Sequence, residues 1–444
     1  MTLAESIPTL RASLPPSLHR DVWPAGTHWA SHGDLTVAGV GLTGLAAAHG
    51  TPAYVVDEAD VRLRCRQYLA AFGAGRVAYT AKALLSVGVA RWIAEEGLDL
   101  YVGSAGELHV AQAAGFPMDR IVLYGSAKTP DDLHAAYTAG VGTIVVESLS
   151  EITRLAATAP PGQRVLLRVL AGPEPAGGLD HRFGPRIGTG EAETAVARIA
   201  GQPGLRLAGF DCSVGHQVSR FSVYEREVRR IVEFCAAMHA RHGIDVTQVN
   251  LGGGHAVAYS GADLGFALDA FAGRIRAVLH LELDRHRITE PALTVSPGRA
   301  IVSRAGLTLY RIMSVIRGQD GRRVVAVDGG MTDCPTAALC GCAHTAALIG
   351  RSSLADPEPA TVVGRHNDAD DVVVPTLLLP ADVHPGDLLA VAGTGAYHHC
   401  RASNYHQVAR PPLLAVADGQ TRTLVRRESL TDLLSRDADH PRAG

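Results

Sequence analysis

Short apolar segments alternate with helical patterns from about residue 50 to residue 295, and this alternation constrains the fold more than any other feature of the chain. Between the first two segments, LLSVGVARWIAEEG has apolar residues at helical spacing and ends on Gly97, which is typical of a capped amphipathic helix. Further along, Thr129 precedes Pro130 as an N-cap precedes the first residue of a helix. The eight strand-like segments are RVAYT (76–80), LDLYV (98–102), RIVLYG (120–125), GTIVVE (142–147), RVLLRV (164–169), LRLAGFD (205–211), VTQVNLG (246–252) and ALTVS (292–296).

Eight strand and helix units in succession predict an α/β fold, a (β/α)8 TIM barrel. A doubly wound open sheet is the alternative, but such sheets usually have about five or six strands. After Arg299 the pattern changes to strands of alternating apolar and polar residues separated by Gly, Pro and Asp, which predicts an all-β domain. We therefore expect an N-terminal segment contributing to the β domain (1–45), a barrel (46–295) and a C-terminal β domain (296–444).

The composition favours chemistry on small molecules. The net charge is −3 and the sequence pI is about 6.7, with no run of Lys and Arg, so a nucleic-acid or acidic-membrane partner has no electrostatic support. Apolar stretches such as GVGTIVV and DLLAVAG are far shorter than the roughly 20 residues of a membrane span. The N-terminus lacks the basic and apolar regions of a signal peptide. We expect a cytoplasmic protein.

The seven cysteines are scattered and form no Cys-x-x-Cys pair, so neither a disulfide framework nor a metal site is predicted. The segment CGCAH (340–344) brings cysteine and histidine together in sequence. These residues are too close for a metal site and lack a second pair, so we interpret them as buried small residues.

A lone lysine and two loops carry the strongest chemical signal. Lys82 follows the first predicted strand, NLGGGHA (250–256) follows the seventh, and SPGR (296–299) follows the eighth. In such barrels the active site lies at the carboxyl ends of the strands, and a phosphate commonly binds near the last two. The glycine run alone is equally consistent with a tight turn. A lysine opposite a phosphate site is typical of a pyridoxal phosphate (PLP) enzyme, in which the lysine carries the cofactor.

At this level of detail the chain resembles the fold-type III PLP-dependent decarboxylases, specifically the diaminopimelate decarboxylases of the actinobacterial kind. The resemblance covers nearly the whole chain and implies the alanine racemase-like barrel with a C-terminal β domain. It also implies a homodimer with shared active sites and a small amino acid as substrate. It rests on YTAKALLSVGVARWIAEEGLDLYVGSAGEL, FPMDRIVLYGSAKT, AGVGTIVVESLSEITRL, HRFG, LGGGHAVAY, SPGRAI, VDGGMTD, PGDLLAVAGTGAY and SNYHQVARPP.

The resemblance assigns roles to individual residues. It implies that Lys82 carries PLP and that Asn367 and Asp368 stand at catalytic positions. The implied cofactor-binding residues are Lys82, Arg168, Ser213, His216, Gly252, Gly253, Gly254, Ser296, Gly298, Arg299 and Tyr397. The implied substrate-binding residues are Thr336, Cys340, Asp368 and Asp371.

Several of these positions depart from the family pattern. Ser213 replaces a histidine that stacks on the cofactor, with His216 at the place of the motif's serine, and Ser296 replaces a glutamate that pairs with the pyridine nitrogen. In the loop that the partner subunit donates, Asn367 and Asp368 replace a cysteine acid and a substrate-binding glutamate. Where the family holds diaminopimelate with an arginine and a tyrosine, the substituting residues are Thr336 and Cys340.

These departures predict a PLP-dependent decarboxylase acting on an amino acid or amino-acid-derived intermediate other than diaminopimelate, in specialised metabolism. Asp368 and Asp371 are consistent with a substrate that carries a cation. Two alternatives stay open: another PLP reaction such as racemisation, epimerisation, elimination or transfer, and a catalytically degenerate PLP-binding paralogue. His216 and His366 are also consistent with packed or surface histidines, and the acidic segment 368–371 with a solvated loop.

Overall fold

The computed structural model describes residues 17–172, 180–263, 265–336, 339 and 341–439. The chain divides into two compact units. The first comprises Met1–Val61, Val257–Gly265 and Val302–Gly444, and the second comprises Arg62–Ala256 and Phe266–Ile301. The domain boundaries expected from the sequence stay a prediction.

The second unit is an eight-stranded parallel barrel in which every strand pairs with its sequence neighbour. The eight predicted strands are all present. Their bounds are Ala78–Thr80, Asp99–Val102, Ile121–Leu123, Thr143–Val146, Gln163–Val169, Leu205–Cys212, Gln248–Asn250 and Ala292–Thr294. Val77 bridges to Val295, and Ala78 N donates to Val295 O at 2.9 Å, so the first and last strands close the barrel. The predicted (β/α)8 barrel is confirmed.

Helices follow the strands because the apolar face of each one covers the outside of the barrel. The Ser86 hydroxyl accepts from Val89 N at the start of the first barrel helix, and Thr129 and Asp132 form a capping box before Pro130, as expected. Gly97 adopts φ +84° just past the helix Val87–Glu95. The helices are Glu58–Phe72, Val87–Glu95, Ala105–Ala113, Pro130–Ala139, Leu149–Thr158, Glu191–Ala200, Phe221–His242, Leu268–His286 and Arg299–Val302.

The first unit is built mainly of strands, because its alternating residues bury one face of each strand. Its nine-stranded sheet contains Ala53–Asp57, Gly306–Arg317, Arg323–Val327, Ala346–Ile349, Pro357–Val363, Val372–Pro380, Leu388–Ala392, Leu413–Ala417 and Gln420–Val425. Short helices lie at Leu42–His49 and Leu430–Leu434. The predicted β domain is therefore confirmed as an architecture.

The N-terminal segment forms a separate three-stranded sheet rather than a further strand of the large one. Its strands are Thr27–Trp29, Leu35–Val37 and Val40–Gly41. Leu35 and Val37 are fully buried in the same cluster as Leu307 and Leu309, so the segment contributes to the core of this unit. In the described part of the chain, no helix is long and apolar enough to cross a membrane.

Candidate active site

Lys82 lies at the carboxyl end of the barrel. It occupies the short 3-10 turn Ala81–Ala83 directly after the first strand, where its neighbours are buried and its own side chain is exposed. Its Nζ lies 5.7 Å from the centroid of the Tyr124 ring. Both residues line a cavity of about 670 Å³, which is large enough for a cofactor and a small substrate.

The cavity is rich in cationic side chains. Besides Lys82, it is lined by Arg168, Arg186, Arg226 and Arg230. Arg186 and Arg230 each donate one N–H to a backbone carbonyl, Gly172 O and Ala171 O respectively. The remaining guanidinium donors of these arginines suit anionic groups, because their planar forks match carboxylate and phosphate oxygens.

Two carboxylates also line the cavity. Burial raises the pKa of Glu227 to about 7, and Arg230 and a hydrogen bond with Cys212 oppose this rise. Glu147 lies beside Arg168, with 3.9 Å between Oε1 and Nη1. Within the described part of the chain, Glu147 Oε2 and Glu227 Oε1 are buried without a hydrogen-bond partner. A carboxyl group with a pKa near 7 suits general acid–base catalysis, because it can hold a proton and release it close to neutral pH.

A buried hydrogen-bond network joins neighbouring strands at the same end of the barrel. Arg168 Nε donates to the fully buried carboxylate of Asp211, which pairs with it in register. Asn250 Nδ2 lies 2.5 Å from Asp211 Oδ1, 2.8 Å from Tyr101 Oη and 3.3 Å from Ser296 Oγ. The network fixes Arg168, a cavity residue, and connects it to Ser296 at the end of the last strand.

The glycine run brings the last three loops together. A Cβ added at Gly253 would lie 2.4 Å from Ser296 O, and one at Gly254 would lie 2.2 Å from Gly215 O. Gly252 and Gly254 also have positive φ, +77° and +81°. Only glycine permits this approach, so the loops after the sixth, seventh and eighth strands form one layer of backbone.

These residues fit PLP. The cavity offers one exposed lysine amine and several guanidinium groups for anionic groups, and the glycine backbone of the loops after the last strands lies at the same end of the barrel, where phosphates bind. Of the predicted cofactor residues, Lys82, Arg168, Ser213 and His216 line the cavity directly. The others in this unit, Gly252, Gly253, Gly254, Ser296, Gly298 and Arg299, lie in the loops that follow the last two strands.

The remaining predicted site residues belong to the other unit. Asp371 is buried, and its oxygens accept from Met331 N and His366 N. Asp368 is half-buried and accepts from the Tyr405 hydroxyl at 3.0 Å, whereas Asn367 is exposed. Tyr397 adopts the left-handed region, at φ +65°, which is uncommon for a residue other than glycine.

Thr336 is also in this unit, and its hydroxyl contacts two imidazoles. The predicted substrate residue Cys340 lies outside the described residues. His366 is buried rather than exposed, and its Nε2 lies 3.0 Å from Thr332 Oγ1. The roles predicted for the residues of both units stay predictions.

Comparison with known proteins agrees with this geometry. Residues 58–303 match the model of the family described as "Pyridoxal-dependent decarboxylase, pyridoxal binding domain". The chain belongs to this family. The sequence-based predictions of a PLP-dependent decarboxylase and of PLP as its cofactor are therefore confirmed.

Several named decarboxylases match this chain over nearly their full length. Diaminopimelate decarboxylase from Actinosynnema pretiosum subsp. auranticum is 46% identical, covering 98% of this chain and 100% of the relative. The enzyme of the same name from Mycobacterium tuberculosis is 40% identical, covering 94% and 97%. A crystal structure of diaminopimelate decarboxylase from M. jannaschii in complex with L-lysine has a TM-score of 0.87 at 25% identity, covering 94% and 99%.

One prediction is wrong. The sequence predicted a substrate other than diaminopimelate, whereas the relatives that match over nearly the whole chain are named diaminopimelate decarboxylases. The prediction rested on two residues replaced in one motif, Thr336 and Cys340. It took no account of the arginines of the cavity: Arg226 and Arg230 lie on the long helix Phe221–His242, and only the structure places them in the same cavity as Lys82.

Proposed function

We propose that this protein decarboxylates diaminopimelate, with PLP carried on Lys82. The observation that carries the proposal is the cavity at the carboxyl end of the barrel, where one exposed lysine lies among Arg168, Arg186, Arg226 and Arg230. Diaminopimelate has two carboxylates, one that leaves as CO₂ and one that stays. A site for it must therefore bind a persistent anion beside the cofactor, and a cavity with several guanidinium groups supports this.

When bound, PLP withdraws electrons from the substrate Cα so that the bond to CO₂ can break. The residues of this chain supply attachment, orientation and protons. Lys82 provides the amine, while the glycine loops and Arg299 would hold the phosphate. Ser296 would hydrogen-bond to the pyridine nitrogen as a neutral partner, because no carboxylate stands at that position.

The arginines account for substrate binding without the family's arginine at position 336. We assign the distal carboxylate to Arg186 and Arg226, which line the cavity. Arg168 is not included, because it already donates to Asp211 in the buried hydrogen-bond network. Glu227 is our candidate proton donor, because its pKa of about 7 leaves a proton on the carboxyl group in part of the molecules near neutral pH. This role would replace that of the family's cysteine, for which Asn367 has no ionisable group.

The test is turnover of the PLP-saturated protein with diaminopimelate and a panel of other amino acids. We expect CO₂ and lysine from diaminopimelate, and an increase in KM of at least about tenfold for Arg226→Gln, the loss of one charge-assisted contact. Arg206→Gln, on an exposed strand position away from the cavity, is the control. Turnover of a different amino acid with none of diaminopimelate would overturn the proposal.

We further propose a homodimer in which the loop containing Asn367 and Asp368 acts in the partner's site, as the resemblance implies. A mixture of Lys82→Ala and Asp368→Ala proteins should then regain part of the activity, since one of the two sites in each hybrid is intact. Full activity of Asp368→Ala alone would instead identify the segment as a solvated acidic loop. The cytoplasmic location expected from the sequence stays a prediction.

A further inference from the structure

Three potential metal ligands meet inside the β-rich unit. Cys334, His344 and His398 are each at most 3% exposed. Their ligand atoms all lie within 4.8 Å of one another. Among the described residues, they form the group of His, Cys, Asp or Glu side chains that lie close enough together to hold one metal ion. The residues come from three parts of the sequence: the segment after Arg323–Val327, the segment before Ala346–Ile349, and the loop after Leu388–Ala392. Sequence spacing therefore gave no signal for the cluster.

The imidazole tautomers are fixed by backbone carbonyls. His344 Nδ1 lies 3.0 Å from Ala392 O, and His398 Nδ1 lies 2.9 Å from Ala396 O. A carbonyl oxygen only accepts, so each Nδ1 must carry a hydrogen. In the neutral rings, Nε2 then presents a lone pair. A ring nitrogen that donates to a carbonyl while the other faces the ion is the usual arrangement of metal-bound histidine.

Both Nε2 lone pairs converge on one hydroxyl. Thr336 Oγ1 lies 2.8 Å from His344 Nε2 and 2.9 Å from His398 Nε2. A threonine hydroxyl has a single hydrogen, so it can donate to only one of these nitrogens. The two Nε2 atoms therefore face the same small buried polar site beside Cys334 Sγ, where both are placed to bind one ion.

We propose that Cys334 Sγ, His344 Nε2 and His398 Nε2 bind a zinc ion, with the Thr336 hydroxyl or a water as fourth ligand. Two imidazoles and one thiolate suit zinc rather than Mg²⁺ or Ca²⁺, which prefer oxygen ligands. Ligand atoms around tetrahedral zinc are about 3.3–3.8 Å apart, from bond lengths of about 2.0–2.3 Å, so the side chains need to move by about 1 Å. The ion would tie the three segments together.

The alternative is that Cys334 is an apolar core residue and that the histidines share protons with Thr336. Cys334 does pack in a cluster with Tyr310 and Val327. Burial raises the pKa of its thiol, and Asp333 and Cys342 add to this effect, so zinc binding would have to displace a proton. The two interpretations differ in one measurable property, the formation of a metal–thiolate bond.

The experiment uses full-length holoenzyme without a polyhistidine tag, stripped with a chelator and titrated with zinc or cobalt alone. We expect one zinc per chain, a higher unfolding temperature with zinc, and a thiolate-to-metal charge-transfer band with Co²⁺. His398→Gln should weaken zinc binding by at least about tenfold. Exposed residues supply matched controls, Cys400→Ser and His384→Gln, and both should bind as the unaltered chain does.

Cys334→Ser should remove the charge-transfer band, and where that variant fails to fold, the cobalt spectra of the unaltered chain still test the site. Absence of the charge-transfer band, or a zinc affinity unchanged in His398→Gln, would overturn the proposal. Metal binding is measured here without any turnover of substrate. The result is therefore independent of which amino acid the enzyme decarboxylates.

Discussion

The amide of Asn250 donates to the hydroxyl of Ser296 across a distance of 3.3 Å, so the serine at the end of the last barrel strand is joined to the buried polar network. The same amide nitrogen lies 2.5 Å from Asp211 Oδ1. A carboxylate at position 296 would therefore stand close to one that is already buried. This relationship determines what restoring the family's glutamate would do.

We expect Ser296→Glu to lower the free energy of unfolding of the PLP-free protein by about 1–3 kcal/mol at pH 8, the cost of a buried charge without a partner. The neighbouring Asp211 raises the pKa of the new glutamate in the folded state. Its destabilising effect should then shrink as pH falls toward the unfolded value of about 4.3. Ser296→Gln is the control for size, measured by urea unfolding. If both variants lower the free energy of unfolding equally at pH 8, a charge at position 296 does not interact with Asp211.

Lys82 and Lys128 are the only lysines of the chain, which makes the cofactor attachment a choice between two sites. Lys82 is exposed to the cavity, whereas Lys128 is buried with Nζ 2.7 Å from Glu151 Oε1 and 2.7 Å from Gly125 O. Borohydride reduction of the PLP-loaded protein followed by peptide mapping should label Lys82 alone. Lys82→Ala should remove the label and the visible absorbance of the bound cofactor. A label on Lys128 would refute the assignment.

The barrel could be predicted from the sequence because its strands are short apolar runs and its helices have local capping signals, as at Thr129 and Pro130. The sequence located Lys82 because the end of the first strand can be read directly. It could not show the network of Arg168, Asp211 and Asn250, since these residues become neighbours only through the register of adjacent strands. Polar residues at the ends of apolar strands were the available signal.

The meeting of Cys334 with His344 and His398 depends in the same way on packing between distant segments. His344 belongs to the CGCAH segment, which was interpreted as buried small residues, and the strand Ala346–Ile349 follows it directly. Replaced motif residues such as Thr336 were visible in the sequence. The arginines of the cavity, such as Arg226, could be found only once the cavity was defined.

Glu227 should make stability depend on pH. Burial raises its folded-state pKa from 4.5 to about 7, so between these values the folded protein holds a proton that the unfolded chain has lost. The stability that this group contributes is fully present below pH 4.5 and is lost as pH rises through 7. At 1.36 kcal/mol per pKa unit, the free energy of unfolding should fall by about 3 kcal/mol over this range. Glu227→Gln should flatten this part of the curve of unfolding free energy against pH. An unchanged slope would mean that another group causes it.

The ion pair between Lys128 and Glu151 provides a test of buried electrostatics in the barrel. Both side chains are at most 2% exposed, so removing one leaves the other charge buried without its partner. Lys128→Met should lower the free energy of unfolding by about 3–5 kcal/mol, and Lys128→Met with Glu151→Leu should cost less than the single change. Arg66, which is 63% exposed and pairs with Glu96, is the matched surface control, and Arg66→Gln should cost less than about 1 kcal/mol. Urea unfolding of the unaltered chain, Lys128→Met, Glu151→Leu and the double variant gives the coupling directly. A double variant as unstable as the sum of its single changes would show that Glu151 is held by Glu147 N, at 2.7 Å, and not by the lysine.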